Sequence, residues 1–76
     1  MKVALLRAED LGPILRAVRK AQALRQDDAA GSIGVSENFL GKVEAGNPSV
    51  QWGKLFQVLQ ELGVRIELDL PTALPR

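Results

Sequence analysis

Seventy-six residues leave room for one domain, since independent domains usually run from about 50 to 200 residues, and 46% hydrophobic with 25% charged residues is the balance of a chain that folds. Cysteine and histidine are both absent, which excludes disulfides, imidazole acid/base work and every Cys/His zinc pattern; no metal or cofactor and no enzymatic activity are expected. The formal charge of +1 hides an asymmetry, because residues 1–25 carry six positive and two negative side chains, and the rest of the chain is net acidic.

After an N-terminal segment, residues 1–9, the apolar positions Leu11, Ile14, Leu15 and Val18 fall on one face of a helix that Asp10 can cap and that ends near Gln22. Pro13 sits in its first turn, where a missing N–H costs little. A short second helix is expected over residues 26–32, with Asp27 and Asp28 favourably placed for the helix dipole and Ala29, Ala30 and Ile33 turned inward. Gly34 supplies a left-handed stop, Val35 points inward, and Ser36 caps a third helix that buries Leu40 and Val43. Residues 45–48 read Ala-Gly-Asn-Pro, which is turn chemistry. Ser49 is then expected to cap a fourth helix whose Trp52, Leu55, Phe56, Leu59 and Leu62 recur at helical spacing, with Gly63 as its end. Trp52 and Phe56 read as core rather than as a partner surface, with exposure of Trp52, near the helix start, as the other reading.

The period then changes. Val64, Ile66, Leu68 and Leu70 alternate with Arg65, Glu67 and Asp69, the pattern of a β-strand, before a tail at 71–76. One strand can neither satisfy its backbone nor hide its apolar face. A second copy paired antiparallel about Glu67 would set Arg65 against the partner's Asp69, and a register centred on Ile66 would set it against the partner's Glu67; both place opposite charges across the ladder. The other reading lays the strand on its own helices or against residues 2–6. A chain this small buries only about 60% of its unfolded surface, which also favours a homodimer. Apolar runs are short and residues 1–7 are too few for a signal peptide, so no membrane partner is expected and a cytoplasmic location is. The expected fold class is all-α: a compact domain of four to five helices over residues 10–63, with a C-terminal strand at 64–70 that pairs with a partner chain.

The stretch from Leu24 to Gly46, LRQDDAAGSIGVSENFLGKVEAG, resembles the helix-turn-helix of the Cro/C1-repressor (XRE) family. Small Ala30 permits close helix approach, Gly34 makes the turn, and Val35, Leu40 and Val43 fix the angle between the two helices. The resemblance extends over residues 11–70 through Leu11-Gly12, Arg16 to Lys20, the helix from Leu55 to Gly63 and the closing strand, and is most like HipB-type antitoxins. It implies a dimeric repressor that binds palindromic operator DNA, placing it on the nucleoid, and that restrains a HipA-like Ser/Thr kinase toxin.

The same resemblance assigns Ser36, Glu37, Asn38, Gly41 and Lys42 to DNA contact from the third helix. Their chemistry suits that role, since Asn38 can pair bidentately with adenine, Glu37 can accept from cytosine N4, and Ser36 or Lys42 can reach phosphate or a base. Gly41 permits close backbone approach. Gln26 occupies the family's phosphate-contacting position, Ser49 is a second backbone clamp, and Arg19 and Glu44 match a family salt bridge between the first and third helices. Three departures stand out: Arg25 replaces the usual hydroxyl cap of the second helix, Ala29 a larger aliphatic, and Glu37 makes the recognition surface less basic. Two other functions fit the residues, a stand-alone or phage-type regulator without a toxin, and a helical protein-interaction module without DNA binding, which the acidic balance of residues 26–54 would suit.

Overall fold

A computed structural model describes residues 1–75 of the chain. A 3₁₀ turn, Ala8–Asp10, leads into four helices: α1 Leu11–Ala21, α2 Gln26–Ile33, α3 Glu37–Glu44 and α4 Trp52–Leu62. Each helix contributes to one core, in which Leu15, Leu40 and Val58 are fully buried and Ala29, Ala30, Val43, Leu59 and Leu62 nearly so. Leu11, Val18, Ile33, Val35, Phe39, Val50, Leu55 and Val64 pack around it. Ala29 is buried in spite of its size, so the core closes over the small side chain.

Side-chain oxygens cap two of the four helices, and not always the expected ones. Ser36 caps α3, its Oγ accepting from Phe39 N at 3.0 Å. Asp10 precedes α1 but does not cap it: its Oδ2 accepts from Leu6 N at 3.2 Å and Arg7 N at 3.1 Å, closing the 3₁₀ turn instead. Ser49 does not cap α4. The helix begins two residues later than a Ser49 cap requires, and Gln51 Oε1 accepts from Lys54 N at 2.6 Å, while Ser49 N donates to Asn47 Oδ1 inside the preceding turn. Arg25 makes no cap hydrogen bond and pairs with Asp27, Nε to Oδ1 at 3.3 Å.

All four helices end alike. Ala23, Gly34, Gly46 and Gly63 each adopt positive φ, and the next residue's N–H turns back to a carbonyl five residues earlier: Leu24 to Arg19, Val35 to Ala30, Asn47 to Lys42 and Val64 to Leu59. Three of the four sites are glycine, which adopts this region freely; Ala23 does so at φ 59°, a conformation that costs an L-residue about 1–2 kcal/mol.

One expectation about the last third needs correction. Trp52 is 72% and Phe56 42% exposed, so neither is core; the inner face of α4 is Val58, Leu59 and Leu62, and Trp52 and Phe56 stack on its flank with centroids 5.8 Å apart. Helical spacing could not separate the two faces, because Leu55 and Phe56 are adjacent and either can be read as the centre of the stripe. Residues 64–70 run without helical or ladder hydrogen bonds within the chain. Val64 packs on the core, whereas Ile66, Leu68 and Leu70 are exposed. Lys2 Nζ lies 3.6 Å from Glu67 Oε2, which brings the two ends of the chain side by side without forming a ladder between them.

Candidate nucleic-acid interface

The turn between α2 and α3 consists of Gly34, Val35 and Ser36, a connection of the length that joins the two helices of a helix-turn-helix, and the first turn of α3 leaves Glu37 and Asn38 exposed. Glu37, Asn38 and Lys42 stand on its outer side. Together with Gln26 from α2, Gly41 and Ala45 they line an open depression of about 470 Å³. Five of the residues expected to meet DNA therefore share one surface. Ser36 lies at the rim of α3, its hydroxyl already engaged as the cap, and Ser49 stands in the turn before α4, outside the depression. Ala45 joins them without having been singled out, although the progression 38, 41, 42, 45 along one helix face carries that information.

Behind the depression lies a buried ion pair. Arg19 on α1 faces Glu44 on α3, with Nε to Oε2 at 2.6 Å, Nη2 to Oε1 at 2.9 Å and side-chain exposures of 7% and 3%. Arg19 Nη1 also donates to Leu24 O at 2.7 Å, tying the α1–α2 linker to the same centre. The hydrogen bond to Glu44 pushes the Arg19 pKa up against the opposing effect of burial, so the guanidinium stays charged at any physiological pH. Removing one partner of such a pair strands a buried charge, at a cost of about 3–5 kcal/mol. Gln26 Nε2 donates to Glu44 Oε1 at 3.2 Å, a link from the surface to the pair that the sequence did not disclose.

Gly12 fixes how closely α1 approaches this end of α3. A methyl group at Gly12 would press on the Val43 carbonyl oxygen and lie 2.6 Å from Gly46 N and 2.9 Å from Glu44 O, all backbone atoms. On the other flank Lys54 Nζ sits 5.8 Å from the centroid of the Phe39 ring, linking the first turn of α4 to that of α3. Among the described residues Lys42 forms no ion pair, and neither does Glu37, so both charges face outward. Also among the described residues, no group of His, Cys, Asp or Glu could hold a metal ion, and no helix is long and apolar enough to cross a membrane.

No protein-family model matches the chain. It is 50% identical over 62 residues to the uncharacterised HTH-type transcriptional regulator y4mF of Sinorhizobium fredii, a match covering 82% of each. Among solved structures it superposes on a chain of the HipA–HipB–O2–O3 complex with a TM-score of 0.82 at 18% identity, covering 93% of this chain and 100% of that one. The HipB–O4 20mer complex gives 0.82 and 18% with the same coverage. The clp gene regulator ClgR from C. glutamicum gives 0.66 at 29% identity, covering 82% of this chain and 80% of that one.

Proposed function

The chain belongs to the helix-turn-helix transcriptional regulators, with the XRE, HipB-like arrangement of helices, and from that premise we propose that it is a homodimeric, sequence-specific repressor and the antitoxin of a HipA-like Ser/Thr kinase toxin. The observation that carries the DNA reading is the gathering of Gln26, Glu37, Asn38, Gly41 and Lys42 around one open depression beside the exposed start of α3. That turn enters a major groove, where Asn38 pairs with adenine, Glu37 accepts from cytosine N4, and Gly41 lets the backbone close in. Lys42, Gln26, Ser36 and Ser49 hold the phosphates on either side and set the register.

Dimerisation follows from apolar surface that one chain does not cover. Ile66, Leu68 and Leu70 are exposed, and so is the stacked Trp52–Phe56 pair on α4. Residues 64–70 of two copies pair antiparallel, satisfying backbone groups that the single chain leaves without a ladder. The two-fold axis presents two α3 helices to one palindromic operator, with half-sites about 34 Å apart or further. The antitoxin role is supported by a backbone that matches HipB over the whole of a chain found with HipA. The kinase docks away from α3, so that DNA and toxin are held together on the nucleoid in the cytoplasm. The stand-alone regulator is the second reading; y4mF, the relative at 50% identity, is named for transcriptional regulation alone.

Selection of duplexes from a random pool, run in parallel with the Glu37→Ala, Asn38→Ala double variant, tests the DNA reading. A palindrome recovered by the parent chain and lost by the variant is expected. Recovery of no motif at low salt would turn the search to protein partners. Inspection of the neighbouring genes for a kinase-like frame, followed by co-expression with any frame found, tests the toxin: a co-purifying complex is expected, and absence of such a frame or growth arrest that this chain does not relieve would leave the stand-alone regulator.

A further inference from the structure

The buried pair of Arg19 and Glu44 has a third member, and that member reaches the outer surface. Arg19 takes both oxygens of the Glu44 carboxylate, and Oε1 accepts in addition the Gln26 amide N–H at 3.2 Å. A carboxylate offers only acceptors, so Gln26 can meet it only through the nitrogen end of its amide; turned over, two oxygens would oppose each other. Gly41 leaves that nitrogen room, since even a methyl there would stand 3.8 Å from it. Gln26 is half-buried, and it also lines the depression that holds Asn38 and Lys42.

Building on the DNA reading above, we propose that Glu44, clamped by Arg19, is a positioning residue that fixes the Gln26 amide so that its second N–H is presented to a DNA phosphate. Glu44 itself is buried and touches no DNA. Its contribution is order: an unanchored glutamine must give up its rotamer freedom when it binds, and anchoring it beforehand is worth about two- to tenfold in affinity. The sign of the effect separates this role from plain electrostatics. Removing a negative charge near a polyanion should by itself tighten binding, whereas removing the anchor should weaken it.

The test is a double-mutant cycle on the highest-affinity duplex recovered from the random pool, at one salt concentration, with affinities corrected for the folded fraction. Gln26→Ala is expected to weaken binding, Glu44→Gln to weaken it about two- to tenfold, and Glu44→Gln in the Gln26→Ala background to weaken it no further. Because Glu44→Gln strains a buried pair, nuclear-magnetic relaxation of the Gln26 side-chain amide in the unmodified protein gives a second readout. That amide is expected to be as rigid as the backbone, with Gln57 and Gln60, both exposed on α4, mobile by comparison. Additive losses, tighter binding by Glu44→Gln, or a Gln26 amide as mobile as those of Gln57 and Gln60 would each overturn the proposal while leaving the DNA reading in place. Failure of the unmodified chain to recover any duplex would refute the DNA reading, and this inference with it.

Discussion

Alanine in place of Gly12 should destabilise the domain, and the same replacement at Gly31 should stabilise it. Both glycines lie inside helices, and helix propensity alone favours alanine by about 1 kcal/mol at each. Around Gly31 nothing lies within 4 Å of the added methyl, so most of that gain is kept. Around Gly12 the methyl meets three backbone oxygens and nitrogens of the α3 end, where no side chain can rotate away. Restoring ordinary contact distances requires α1 to move by about 1 Å from α3. Overpacking typically costs about 1–3 kcal/mol, and a clash against fixed backbone belongs at or above the top of that range, for a net loss of about 2 kcal/mol. For a domain of this size 1 kcal/mol moves Tm by about 4–8 °C, so Gly12→Ala should melt about 8–16 °C lower and Gly31→Ala several degrees higher. Thermal melts followed by circular dichroism at one protein concentration decide it. Gly12→Ala melting at or above the parent, or both variants shifting in the same direction, would refute the close approach of α1 and α3.

Ala23→Gly should stabilise by about 0.5–1 kcal/mol, by relieving a left-handed alanine at the end of α1, and a lower urea midpoint would contradict the backbone geometry. Leu40→Ala empties the centre of the core and should cost about 2–5 kcal/mol in chemical denaturation; a loss under about 1 kcal/mol would mean that Leu40 is not the fully buried side chain described. Asn38→Ala should relax preference at one operator position by about 1–3 kcal/mol with folding intact, and an unchanged selected motif would remove Asn38 from the reading set. Removal of residues 64–76 should give monomers or unfolded chain by light scattering, and a stable dimer would rule out the strand as its staple.

Much of this protein is legible along the chain because its signals are local. The α2–turn–α3 unit depends on Ala30, Gly34, Ser36, Leu40 and Val43, whose effects act over a few residues, and the first three helices end near their expected places. The grouping of Asn38, Gly41 and Lys42 is likewise a matter of helical spacing. The cap of α4 is ambiguous in sequence because Ser49 and Gln51 both offer an oxygen, and only the turn's own hydrogen bond to Asn47 takes Ser49 out of contention.

The set of helices and the outward face of α3 can be drawn from the chain before it folds, since both follow from periodicity and capping within one turn or two. Packing sets which flank of α4 is buried, makes Gly12 and Gly31 opposite in kind, and hangs Gln26 from the Arg19–Glu44 pair. Each of these depends on distances between residues far apart in the chain: 25 positions separate Arg19 from Glu44, and 18 separate Gln26 from it. Local propensity carries no information about such distances, because they are set only when the helices pack.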